Sequence, residues 1–249
     1  MMYLLSVGPV WEHKGCFSSL YPIGNQKMKV SPIEASLVNV CGSDLFVANA
    51  ARVSFNKASE LNPDGSLSEK DTKLINYLAK HNHKSPFNHC FLTFRVKAPI
   101  FVARQLVKHK FMPWNEVSRR YVDEEPEFYF PGIWRKKSES KKQGSSEEAV
   151  SMSHACAISA ETTIKSNLTL YKTLLLEGVC PEQARMVLPQ NTMTEWYWSG
   201  TLGAFCDMLW LRLKEDTQKE TRDVAVLIAN EVKKHFPVSY NALRSNYAN

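Results

Sequence analysis

The spacing of apolar and polar positions divides the chain into two unlike halves. In the first, MKVSPIEASLVNV (28–40) is rich in β-branched residues and partly alternates, which predicts a strand. SDLFVANAARVSF (43–55) has helical spacing, with Ser43 as its N-cap. NPDGS (62–66) is turn composition, and Ser68 then caps a helix through Lys80 with Leu74, Ile75 and Leu78 on one face. FLTFRVKA (91–98) alternates as a strand that Pro99 ends, and Val102, Leu106 and Val107 predict a helix over 101–110. The second half reads as helical. The polar, charged stretch RKKSESKKQGSSEE (135–148) is an exposed connection into a long helix from about Glu147 to Leu176, which Gly178 terminates. Pro181 suits the first turn of a short helix, PEQARMVL. Helices follow at about 195–213 and 216–235, the last with Asp216 as N-cap and Pro237 as its stop.

No repeat and no long linker interrupts this order, so the reading is one α+β domain over 28–240, with 1–27 as an N-terminal extension and 241–249 as a tail. Composition agrees: 249 residues, 44% hydrophobic and 22% charged, is ordinary globular usage and excludes long disorder, collagen and coiled-coil rods. No apolar run reaches the roughly 18–20 residues of a membrane span. The apolar start MMYLLSVGPVW lacks a preceding basic residue and is broken by Gly8 and Pro9, so it does not read as a signal peptide. The six cysteines (Cys16, Cys41, Cys90, Cys156, Cys180, Cys206) stand singly, which points to reduced, mostly buried thiols in a cytoplasmic protein. The formal charge of +6 is mild and fits an anionic small ligand as well as a nucleic acid.

Candidate chemistry is densest in QLVKHKFMPWNEVSRRY (105–121). Gln105, Lys108, His109, Lys110, Asn115, Glu116, Ser118, Arg119 and Arg120 lie there within 16 positions. Ammonium and guanidinium groups beside a hydroxyl form a phosphate-binding surface through charge-assisted hydrogen bonds. A solvated basic face is the competing reading. No GxGxxG and no GxxxxGK[ST] is present, so neither Rossmann nor Walker-type nucleotide binding is indicated. His81, His83 and His89 with Cys90 carry no supporting carboxylate or CxxC, and no metal site is expected. The basic run RKKSESKK (135–142) admits a nucleic-acid-binding reading, but it has no interleaved aromatic for base stacking and Glu139 dilutes it.

KHKFMPWNEVSRRY resembles the signature of flavin-dependent thymidylate synthases, Arg-His-Arg, seven residues, Ser-x-Arg. His109, Ser118 and Arg120 match, while Lys108 and Lys110 replace arginines. AARVSF (50–55), HNHKSPFNHCFLTFRVKAPIFVARQ (81–105), EFYFP (127–131), ARMVLPQN (184–191) and LRLKEDTQKETR (211–222) fall in family order and spacing. The resemblance implies an antiparallel or mixed sheet flanked by helices, with a non-Rossmann flavin site. It implies a homotetramer with active sites shared between chains. It further implies transfer of a methylene carbon from methylenetetrahydrofolate to C5 of dUMP, completed by hydride from reduced FAD, with NADPH as reductant.

Carried over by position, the resemblance places dUMP at Gln105, Glu116, Ser118, Arg119, Arg120, Arg185 and Arg212, with Arg212 as the catalytic group at the uracil edge. It places FAD at Ser54, His83, Ser85, Asn88, Lys108, His109, Lys110, Phe111, Thr201 and Asp207. Asn88 stands where Glu is usual, and Thr201, Gly203 and Asp207 stand where some members have Asn, Arg and Asn. A carboxylate at 207 would repel a diphosphate. No cysteine is in a nucleophile setting, as a flavin route allows. A hydroxymethylase of the same fold, in which water traps the transferred methylene, is the alternative.

Overall fold

The computed structural model describes residues 27–122, 124–139 and 144–247. The expected extension 1–27, with Cys16, lies almost wholly outside them. Four strands, β1 (Glu34–Cys41), β2 (Phe91–Pro99), β3 (Trp114–Glu116) and β6 (Met193–Thr201), form an antiparallel sheet in the order β1-β2-β6-β3. A two-stranded ribbon of β4 (Arg135–Lys137) and β5 (Ser145–Ala149) stands apart from it. The helices are α1 (Asp44–Arg52), α2 (Glu69–Lys80), α3 (Ile100–Leu106), α4 (His154–Leu176), α5 (Pro181–Ala184), α6 (Leu202–Arg212), α7 (Lys219–His235) and α8 (Pro237–Tyr247).

Period-two patterning builds the sheet. Leu92, Phe94, Val96 and Ala98 of β2 and Trp196, Trp198 and Gly200 of β6 point to one face, where they meet the apolar stripes of α6, α7 and α8. The other face is polar, crossed by Thr93 with Ser199 at 2.9 Å, by Arg95 with Glu195, and by Lys97 with Glu127 at 2.6 Å. The sheet therefore carries its main core on one side. A second, small cluster joins Phe128 to Leu168 and Tyr171 of α4 and to Ala184.

Local signals hold where they are self-contained. Ser43 Oγ accepts from the Phe46 N–H at 3.2 Å and Ser68 Oγ from the Asp71 N–H at 3.1 Å, so both helices start where their caps predict. Gly178, with φ of +84°, follows α4 as a left-handed C-terminal residue.

Several expectations are corrected. The strand expected over 28–40 begins at Glu34, after Pro32, which has no N–H for a ladder. The helix expected over 101–110 ends at Leu106. Phe111 takes a positive φ of 60° and Pro113 blocks continuation. Residues 147–153 are not helical, because β5 pairs with β4 and Ser153 caps α4 at His154. The helix expected over 195–213 is half strand: β6 runs to Thr201 before α6 begins, because Trp196 and Trp198 satisfy the pleat between β2 and β3. The second half is therefore not uniformly helical, and it supplies a central strand. Asp216 is not the cap of α7, which starts at Lys219 after Gln218. Pro237 ends α7 and also opens α8, whose Tyr240, Ala242 and Leu243 enter the core, so the helix runs through the expected boundary at 240. Its first N–H groups are capped from across the fold: Val238 and Ser239 donate to the Asp44 carboxylate at 2.8 and 2.9 Å. The thiols are mixed, with Cys90 and Cys206 buried but Cys41, Cys156 and Cys180 exposed.

Candidate active site

The centre of the site is a contact between two segments about 100 residues apart. Arg212, the last residue of α6, donates from Nε to His109 Nε2 at 3.0 Å and from Nη2 to the Gln105 carbonyl at 3.1 Å. His109 sits just beyond α3, in the turn that Phe111 and Pro113 enforce. Burial, and then the neighbouring guanidinium, push its pKa down to about 4, so at neutral pH the ring is uncharged and accepts at Nε2. Burial lowers Arg212 as well. The remaining N–H groups of Arg212 are available to a ligand.

This contact joins two cavities. One, of about 490 Å³, is lined by Gln105, Gly144, Arg212, Asp216, Thr217 and Gln218 among others. The other, of about 400 Å³, gathers Lys84, Asn88, His109, Lys110, Phe111, Thr201, Gly203 and Asp207. Six of the expected flavin residues thus converge: Asn88, His109, Lys110, Phe111, Thr201 and Asp207. Thr201 Oγ1 accepts from the Ala204 N–H at 3.1 Å and donates to Asn88 Oδ1 at 2.8 Å, which ties the start of α6 to the 3₁₀ turn Ser85–His89. A Cβ at Gly203 would lie 2.4 Å from Asn88 Oδ1, so glycine here makes room for asparagine there. The expected repulsion at Asp207 is met within the fold, because Lys84 Nζ bonds both carboxylate oxygens at 2.9 and 2.8 Å. Lys110, the positive end of an eleven-residue helix and a side-chain-free position at that helix's second residue fit a cofactor carrying a diphosphate.

Other expected residues lie apart. Ser54 is in the exposed 3₁₀ turn Val53–Phe55, Ser85 opens the turn before β2, and His83 packs edge-on to Tyr77 at 6.1 Å, beside His81. None of the three lines the His109 cavity. Lys108 faces a third cavity, with Arg104 and Glu116. Glu116 accepts from Trp114 Nε1 at 3.0 Å and Thr194 Oγ1 at 2.7 Å. Ser118 Oγ accepts from the backbone N–H and Nε of Arg120, both at 3.3 Å, and Arg119 donates to the Glu124 carbonyl. An ion pair of 3.7 Å between Arg120 and Glu182 of α5 brings this loop beside the exposed Arg185. The nucleotide candidates therefore fall in three groups on one chain: Gln105 with Arg212, Glu116 beside the flavin candidate Lys108, and Ser118, Arg119 and Arg120 near Arg185.

Sequence reasoning missed Lys84, Gln218, Glu220 and Arg135. Lys84 stood within a motif already quoted, and the Gln-x-Glu at the head of α7 was visible as part of a matching block. Burial pushes the Cys90 thiol up to about 11 and the Cys206 thiol higher still, so neither is a ready nucleophile. Two cations of the basic run are already engaged: Arg135 with Glu220 at 2.7 Å and Lys136 with Glu148 at 2.8 Å.

Known proteins resemble this chain over most of its length. The family described as thymidylate synthase complementing protein matches residues 36–238. The flavin-dependent thymidylate synthase of Thermosipho africanus is 37% identical over 207 residues, 83% of this chain and 88% of that one. The enzyme of the same description from Thermus thermophilus is 39% identical over 210 residues, 84% of this chain and 75% of that one. Among solved structures, the UMP/dUMP methylase PolB from Streptomyces cacaoi, bound with 5-Br dUMP, superposes with a TM-score of 0.75 at 31% identity. It covers 88% of this chain and 97% of its own.

Proposed function

The chain belongs to the flavin-dependent thymidylate synthase family, and we propose that it methylates dUMP at C5 with methylenetetrahydrofolate as carbon donor. The observation that carries the reading is the Arg212–His109–Gln105 contact at the junction of two cavities, one holding Gln105 and Gln218 beside Arg212, the other Lys110 beside Asn88 and Thr201. FAD bound against Lys110, His109, Asn88 and Thr201 would supply the hydride that completes the methyl group, with NADPH restoring it.

The chain's own part is orientation and charge. Arg212 is held by two hydrogen bonds, so its open N–H groups point in a fixed direction, where they stabilise negative charge on a uracil carbonyl as C5 becomes nucleophilic. Neutral His109 fixes the guanidinium without adding a competing cation. Arg119, Arg120, Arg185 and Ser118 supply phosphate contacts, and Lys108 with Glu116 lines the approach. These groups lie in separate places on one chain, and exposed apolar side chains such as Phe111 (96%) and Met186 (80%) stand beside them. That arrangement supports a homotetramer whose sites are completed by neighbouring subunits. A cytoplasmic setting is part of the same proposal. Among the described residues no helix is long and apolar enough to cross a membrane.

Incubating the purified, FAD-loaded protein with dUMP, methylenetetrahydrofolate and NADPH should yield dTMP by mass spectrometry. A product heavier by one oxygen would establish the hydroxymethyl alternative, which the comparisons do not favour, and no product would overturn both.

A further inference from the structure

Behind Gln105 runs a line of side chains whose hydrogen bonds share one polarity. Arg135 of β4 donates from Nη2 to Glu220 Oε1 at 2.7 Å, and both side chains are nearly buried, at 12% and 6% exposure. Arg135 is itself fixed by Nε donating to Ser145 Oγ at 2.7 Å. The other carboxylate oxygen, Glu220 Oε2, accepts from Gln218 Nε2 at 3.1 Å. Gln218 Oε1 then accepts from Gln105 Nε2, and Gln105 Oε1 accepts from Thr221 Oγ1 at 3.1 Å.

The Arg135–Glu220 end of this line cannot reverse its polarity. An amide can turn over and a hydroxyl can rotate, but a guanidinium only donates and an ionised carboxylate only accepts. Burial alone would raise the Glu220 pKa, yet the bond from Arg135 and those around it outweigh burial and hold the carboxyl below its ordinary range. Because Glu220 must accept, Gln218 turns its amino group towards it and its oxygen towards Gln105. Gln105 must then turn its amino group towards Gln218. Gln218 lines the 490 Å³ cavity, whereas Thr221 is fully buried and does not. The oxygen of Gln105 is therefore turned to buried Thr221, which leaves its second N–H as the group it can offer the cavity it lines.

We propose that Glu220, seated on Arg135, is a positioning residue that fixes Gln105 as a donor toward the cavity, and that this selects a pyrimidine with a carbonyl there over one with an amino group. The inference rests on the nucleotide reading given above. The base end of the ligand belongs here because Gln105 sits against Arg212, its carbonyl accepting from Nη2 of the guanidinium read above as the partner of a uracil carbonyl. A carbonyl meets the N–H of Gln105, whereas the amino group of a cytosine would oppose a donor with a donor and leave both desolvated.

Titration calorimetry with dUMP and dCMP on the FAD-loaded protein tests this, alongside Glu220→Gln and Gln218→Met. Gln218→Met leaves the Arg135–Glu220 pair intact and so guards against a folding defect in Glu220→Gln. The wild type should favour dUMP over dCMP, and each variant should shrink that ratio by about five- to ten-fold, the value of one directed hydrogen bond. A general loosening of the fold would weaken both nucleotides together and leave the ratio unmoved. An unchanged ratio in folded Gln218→Met, or equal binding by the wild type, overturns the selection device while leaving dUMP binding in place. Failure of the wild type to bind either nucleotide removes the nucleotide reading and this inference with it.

Discussion

Replacing Gly203 with alanine should reverse the sign of its effect according to what occupies position 88. In an exposed helix interior, Gly→Ala gains roughly 1 kcal/mol. Here the added Cβ would meet Asn88 Oδ1 at 2.4 Å, a full ångström inside the 3.4 Å at which ordinary contact begins. Asn88 must move by about that distance, and a shift of that size breaks its 2.8 Å bond from Thr201. Losing that bond costs about 1 kcal/mol and local overpacking about 1–3 kcal/mol. Against the helical gain, Gly203→Ala alone should destabilise by about 1–3 kcal/mol, a fall in Tm of roughly 2–12 °C at this chain length. Because the same side chains line the Lys110 cavity, it should also weaken flavin retention. In an Asn88→Ala background the obstruction is gone, and Gly203→Ala should stabilise by up to about 1 kcal/mol. Urea unfolding of the four proteins, with flavin absorbance after gel filtration, completes the cycle. Additive effects, or a Gly203→Ala protein as stable as the wild type, would refute the reasoning.

Three further outcomes are expected. Arg212→Ala should lower kcat for dTMP formation far more than it raises the Kd for dUMP, since its charge matters most as negative charge develops; a raised Kd with kcat unchanged would place it in ground-state binding only. The folded pKa of His109, about 4, lies below its unfolded value of about 6.5, so the folded state refuses a proton that the unfolded chain accepts. Its contribution to stability is complete above pH 6.5 and is lost as pH falls towards 4, by no more than about 3 kcal/mol before screening is allowed for. Wild-type stability should therefore drop more steeply than that of His109→Gln between pH 6.5 and 4.5, and parallel curves would contradict it. Asp44→Ala removes both acceptors from the first turn of α8 and should cost about 1–2 kcal/mol in urea unfolding, even though residue 44 lies more than 190 positions from that helix.

Much of the candidate site could be listed from the sequence. The segment from Gln105 to Arg120 concentrates cations, amides and a hydroxyl whatever the fold, and Arg212 falls in a matching block. The expected flavin positions that looked discordant are explained only in space. Asp207 read as a repulsive carboxylate because Lys84, its partner, is 123 positions away. Asn88 and Gly203 read as two separate departures, and they are one: the short side chain and the missing one occupy the same volume.

What the sequence determined by itself is whatever is settled within one turn or one pleat. Ser43 and Ser68 cap N–H groups three residues on, Gly178 takes the left-handed conformation its missing Cβ permits, and 91–98 alternates because one of its faces is buried. Tertiary structure decided the rest. Residues 193–201 are apolar enough for helix or strand and became a strand because β2 and β3 offered ladder partners on both sides. Asp44 caps a helix it does not belong to, and the carboxylate of Glu220 orients an amide two side chains away. Such pairings depend on chain closure over about 80 residues or more, and no local propensity carries that distance.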